Sequence, residues 1–159
     1  MQVSGRGVVV IAVALAAVLV GYTLYSLSIV PGTVTSPVPS SFSVNGKTYN
    51  FTYIATTQAE RQTGLMNKKV TNTTTMLFAF PSYGDWQFWM YDTNTSLDMI
   101  WVNGASGRVV YVVTSAHPCF DSSACAIYTP SAPANYVIEA MAGFAAANGI
   151  VVGTAINFG

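Results

Sequence analysis

Ionisable groups are so scarce in this chain that each one in an apolar setting has to be accounted for. Among 159 residues there are six Lys and Arg, six Asp and Glu and one histidine, so charged residues make up 8% of the chain against a typical quarter. Three carboxylates stand out. Asp98 lies in Leu97-Asp98-Met99-Ile100-Trp101, where both alternating faces of a strand are otherwise apolar, and a carboxylate taken out of water there needs a partner. Glu139 falls in the predicted strand Val137 to Ala140, and Glu60 stands beside Arg61 at the head of a helix-forming stretch. Two readings follow. In the structural one, Asp98 pairs with Arg61, or accepts backbone N–H bonds, and locks helix to sheet. In the functional one, Glu60, Asp98 and Glu139 converge on a pocket as candidates for acid/base catalysis or ligand binding.

The two cysteines, Cys119 and Cys125, share a loop-like segment with Pro118, Asp121, Ser122 and Ser123. Outside the cytoplasm a disulfide is the default, and so short a ring contributes roughly 2 kcal/mol in the chain-entropy model. With His117 and methionine sulfurs the same cysteines would suit Cu(I). However, the spacing is not a metal motif, and Met66, Met76, Met90, Met99 and Met141 stand at apolar-patterned positions that core packing explains. No metal and no cofactor is expected. The chain has no Gly-x-Ser-x-Gly elbow and no phosphate-cradling glycine loop, and its lone histidine lacks a nucleophile. Three sequons begin at Asn50, Asn72 and Asn94 and are expected to carry glycans if the domain is exported. Basic and acidic residues cancel, which leaves no electrostatic footprint for nucleic acid.

The elements that position these residues begin with an anchor. Residues 8–30 contain no charge, and at about 1.5 Å per residue they are long enough to cross a hydrocarbon layer of roughly 30 Å. The expected order is a short cytoplasmic N-terminus over 1–7, a transmembrane helix over 8–30, a Pro/Ser/Thr-rich spacer over 31–41 and an extracytoplasmic domain over 42–159. The protein is thus expected at the cell membrane, single-pass, with its C-terminal domain outside. Arg6-Gly7 resembles the cleavage site of archaeal type IV pilin-like precursors, and processing there would make the protein a filament subunit. The prolines after residue 30 argue against the continuous helix that a filament core needs.

Beyond the spacer the apolar period is mostly two. Asn45-Gly46 predicts a hairpin, and Thr57 with Glu60 predicts a capping box opening a helix over Ala59 to Met66. Strands are expected at Met76 to Phe80, Gln87 to Met90, Leu97 to Val102, Val109 to Val113, Val137 to Ala140 and Ile150 to Phe158. The fold class is therefore mainly β with one or two short helices, a compact antiparallel barrel or sandwich.

The stretch from Glu60 to Trp101, with ERQTGLM, then MLFAFP, then FWMYDTNTSLDMIW, resembles the domain of unknown function 192, also called UPF0127, as do Ala134-Asn135-Tyr136-Val137-Ile138-Glu139 and Ala142-Gly143-Phe144. The resemblance covers most of the chain after residue 42 and implies a small β-rich domain, here as a membrane-anchored, archaeal member, with no settled activity to carry over. Two positions depart from the family pattern: Tyr91-Asp92-Thr93 replaces Lys-Asn-Thr, and Met141 stands where Asn is usual. The expectation is a non-catalytic interaction or accessory module with a protein partner in the membrane or envelope. Its contact surface would lie around Trp86, Phe88, Tyr91 and Trp101. A small envelope enzyme using the three carboxylates is the alternative.

Overall fold

The computed structural model describes residues 37–159. The anchor expected over 8–30, the segment before it and most of the spacer lie outside the described residues. Among the described residues no helix is long and apolar enough to cross a membrane.

Among the described residues ten elements follow one another. β1 (Ser41–Val44) and β2 (Lys47–Asn50) form the expected hairpin, and β3 (Tyr53–Ala55) leads into α1 (Gln58–Thr63). β4 (Thr75–Gly84), β5 (Leu97–Asn103), β6 (Arg108–Ala116) and β7 (Ala134–Met141) are the long strands, followed by α2 (Phe144–Ala147) and β8 (Asn157–Phe158). Asn45 and Gly46 take φ of 49° and 79° at the hairpin tip, the left-handed pair that matches the twist of two short strands. α1 opens on a complete capping box, in which the Thr57 side chain accepts from the Glu60 N–H and the Glu60 carboxylate accepts from the Thr57 N–H.

The strands form two sheets and no closed barrel. One is three-stranded in the order β2-β1-β8; the other is five-stranded in the order β3-β4-β7-β5-β6. All pairings are antiparallel except β3 with β4, where the intervening α1 makes the crossover that a parallel pair requires. The five-stranded sheet is covered on both faces. Met76, Phe78, Met99, Trp101 and Val137 belong to one core. Leu77, Ile100, Val102 and Ile138, their alternates along the same strands, belong to the other, together with Phe42, Val44 and Ala145 of the small sheet and α2.

Two expected strands are corrected. The run Gln87 to Met90 makes only isolated bridges, Phe88 with Tyr128 and, just beyond, Tyr91 with Cys119. It crosses over the sheet face instead, because Phe88 packs edge-on against both Phe78 and Trp101. The run Ile150 to Phe158 is reduced to two strand residues by the turn between Gly149 and Gly153, both at positive φ.

Of the two structural expectations for Asp98, the ion pair with Arg61 is corrected and the acceptance of backbone N–H bonds is what the structure shows. Asp98 is fully buried, but its partners are backbone N–H groups: Ser115 at 2.9 Å, Gly143 at 3.0 Å and Ala145 at 2.8 Å. Arg61 donates to the carbonyls of Thr56 and Ala79 and lies over the Phe80 ring. The reason is facial. Asp98 alternates with Ile100 and Val102 toward the α2 side of the sheet, and α1 packs elsewhere. There the carboxylate caps a helix whose own N-cap, Gly143, offers no side chain, and it holds Ser115 at φ 54° where the β5–β6 register shifts. Replacing Asp98 by Ala leaves three N–H groups without their acceptor. The expected loss in denaturant unfolding is roughly 3 to 5 kcal/mol, with faster amide exchange at Ser115, Gly143 and Ala145. A variant within about 0.5 kcal/mol of the parent, the ordinary range for a surface substitution, would contradict this account.

Candidate functional site

The carboxylates singled out by sequence do not converge. Glu60 is exposed on α1 and accepts from the backbone N–H groups of Thr57 and Thr56, which hold its pKa down at about 2. Asp98 is enclosed on the α2 side. Glu139 stands between Met76 of β4 and Met99 of β5, on the opposite face of the sheet from Asp98. Asp98 and Glu139 are separated by the thickness of the sheet, and Glu60, turned back on the start of α1, is not among the residues that line a cleft with Glu139.

Glu139 instead forms part of the wall of a cleft of about 460 Å³. The walls come from three places. α1 and the turn after it give Arg61 and Leu65, β4 gives Phe78 and Phe80, and the crossing segment gives Phe88 and Tyr91. The rings are braced against one another: Trp86 stacks on Phe80 at 4.2 Å between centroids, and Phe88 is wedged between Phe78 and Trp101. Gln58, Gln62 and Gln87 add amides to the lining. Glu139 is its one carboxylate. Its residue is 4% exposed, and among the described residues no group donates a hydrogen bond to it. Since no buried side-chain oxygen is sealed off without a partner, its carboxyl oxygens open into the cleft. Burial alone pushes its pKa up to about 8, because removal from water disfavours the charged form.

The expected aromatic contact surface is partly relocated. Trp86, Phe88 and Tyr91 line this concave cleft, not a flat patch. Trp101 is fully buried and is no surface residue: its indole N–H donates to the Trp86 carbonyl at 2.9 Å and supports the wall from beneath. Of the two departures from the family pattern, Tyr91 is on the cleft wall, while Met141 is not among the lining residues. The glutamines and Arg61 are cleft residues that sequence reasoning missed. The available signal was that polar Gln58, Arg61, Gln62 and Gln87 stand within or beside the aromatic and apolar stretches that supply the rest of the walls.

Elsewhere Cys119 and Cys125 are joined in a disulfide, with Cα atoms 5.6 Å apart, so neither sulfur is free as a metal thiolate. No group of three or more His, Cys, Asp or Glu among the described residues is placed to hold a metal ion. Asn50, Asn72 and Asn94 all have exposed side chains.

The two-sheet fold of residues 41–158 is one that other proteins share. Residues 41–158 match the DUF192 family, described as uncharacterized ACR, and the chain belongs to that family. It is similar to a protein of unknown function from Novosphingobium aromaticivorans, with a TM-score of 0.63 and 27% identity over 76% of this chain and 84% of that one. It is similar also to a chain from Sinorhizobium meliloti that carries the provisional description of a transcription regulator, with a TM-score of 0.63 and 26% identity over 74% of this chain and 90% of that one. No curated protein matches it.

The raised pKa of Glu139 has a consequence for stability. The folded state holds its proton more tightly than the unfolded chain, whose glutamate has a pKa near the ordinary 4.5. The cost of burying the charge is therefore absent below about pH 4.5 and grows as pH rises toward 8, at up to roughly 1.4 kcal/mol per pH unit. Unfolding free energy should fall across that window by a few kcal/mol, and Glu139→Gln should flatten the fall. An unchanged pH slope in the variant would show that Glu139 is ionised in the folded state.

Proposed function

We propose that this domain is a small-ligand binding module held on the outer side of a membrane by residues 8–30, with the aromatic cleft as its recognition site and no turnover of what it binds. The observation that carries the reading is Glu139, without a protein donor, in a cleft whose walls come from α1, β4 and the crossing segment. A carboxyl held among apolar walls with no protein donor, its oxygens open to the cleft, is a polar group left free to meet an occupant. A concave, mostly apolar pocket with few polar groups is the usual form of a ligand site. Against catalysis stand the roles of the other two carboxylates: Glu60 is engaged in capping α1 and Asp98 in capping α2, so neither is available as a second acid or base. An accessory role beside a protein partner in the envelope is compatible, the ligand then being what the complex senses or carries. The balanced charge of the chain supports a small molecule over nucleic acid. Glycans on Asn50, Asn72 and Asn94 would accompany an outward domain.

One observation favours a second reading. A carboxyl with a pKa near neutrality is suited to moving a proton, so a single-acid enzyme built on Glu139 is the competing account.

Native mass spectrometry of the full-length protein released from detergent after exposure to a cell extract tests these readings together. The binding account expects a mass that retains residues 8–30 and a bound small molecule that leaves with the mass it entered. That ligand should be lost in Gln62→Trp, where the added ring fills the cleft mouth. Chemically altered small molecules that depend on Glu139 would favour the enzyme. A mature start at Val8 would favour the filament subunit, and a ligand unaffected by Gln62→Trp would remove the cleft from consideration.

A further inference from the structure

We propose that the cleft recognises a small organic cation, an amine or ammonium compound with an apolar body, whose charged head pairs with Glu139 while the body lies among the rings of Trp86, Phe88 and Tyr91. The inference rests on the reading of the cleft as a binding site and names its ligand class.

Charge complementarity carries it. Glu139 is the one carboxylate of the cleft and has no donor among the described residues, so the group it lacks is a cationic or strongly polar donor. Aromatic faces attract cations through the ring quadrupole, and more strongly where water is excluded. The cleft already holds one cation in this way, the Arg61 guanidinium 5.0 Å from the centre of the Phe80 ring. Arg61 does not serve as the partner of Glu139. Its Nη1 is committed to the carbonyls of Thr56 and Ala79, acceptors that offset its charge at the rim and leave the carboxyl unmet. The cleft's volume, about 460 Å³, falls in the range of small-molecule sites.

The rival occupant is an anion held between Arg61 and the protonated Glu139, and pH separates the two. The charged or titratable groups sharing the cleft with Glu139 are Arg61 from α1 and Tyr91 from the crossing segment. Its cross-strand neighbours on β4 and β5, Met76 and Met99, do not titrate. With the free carboxyl protonated up to about pH 8, a cation must displace that proton. Its affinity then rises about tenfold per pH unit below 8 and levels off above it, with about one proton released at neutral pH. An anion shows the reverse, binding best at low pH and weakening as Glu139 ionises.

Isothermal titration of the full-length protein in non-ionic detergent, between about pH 6 and pH 9, would use three probes of similar shape: phenethylamine, phenethyl alcohol and hydrocinnamate. The inference expects phenethylamine to bind best, with the rising pH profile and proton release read from buffers of different ionisation enthalpy. Glu139→Gln should weaken the amine at least tenfold above pH 8 without lowering the melting temperature at pH 6. Tighter binding of hydrocinnamate or the alcohol, lost in Gln62→Trp, would overturn the cation while leaving the cleft as a binding site. Amine binding unchanged in Glu139→Gln would overturn the cation as well. No heat from any probe, together with no cleft-dependent ligand in native mass spectrometry, would bring down both readings.

Discussion

A central sheet covered on both faces is the constraint on which the rest of this molecule depends. Once Met99 and Trp101 on one side and Ile100 and Val102 on the other are buried, a polar side chain on the inner strands has two outcomes: it is satisfied by nearby backbone or it opens into a cavity. The two carboxylates placed there take one outcome each. Asp98 is saturated by three N–H donors and joins β5 to β6 and α2. Glu139, one strand away on the other face, has no donor and faces the cleft. The first is part of the framework, and the second is the group the framework leaves available.

The cleft in turn depends on how α1 is fixed. Six residues are too few for a helix to persist by propensity alone, and this one is held by its capping box and by the Arg61 side chain, which reaches the carbonyl of Ala79 on β4 at 2.9 Å. That tie sets the distance between helix and sheet. Across it, the segment carrying Phe88 lies over the sheet because two aromatic contacts and one two-way bridge to Tyr128 replace a continuous ladder. The gap left between them is the cleft.

Much of this was legible in sequence where the determinants are local. Asn45-Gly46 gave the hairpin, Thr57 with Glu60 the helix start, and the short, polar-spaced cysteines the disulfide, since each depends on residues a few positions apart. The burial of Asp98 was legible from the apolar pattern around it. That backbone N–H groups could satisfy it was legible too, but not which ones, because Gly143 and Ala145 are distant in sequence and backbone donors leave no trace in residue type. The same holds for the cleft. Phe88 read as a contact-surface residue and Arg61 as an ion-pair residue until the fold set them, with Phe80, around Glu139. The apolar period could not say that Gln87 to Met90 crosses a sheet face, nor that β3 runs parallel to β4.

The central claim is that Glu139 is a buried, unpartnered acid at a binding cleft, and the most direct measurement is its own titration. Carboxyl carbon chemical shifts of Glu139, followed by NMR across pH in the ligand-free protein, should show a midpoint near 8. Addition of phenethylamine should lower that midpoint. A midpoint at the ordinary glutamate value of 4.5, with no response to the amine, would mean that the carboxylate is already solvated or paired, and the account of the cleft would not stand.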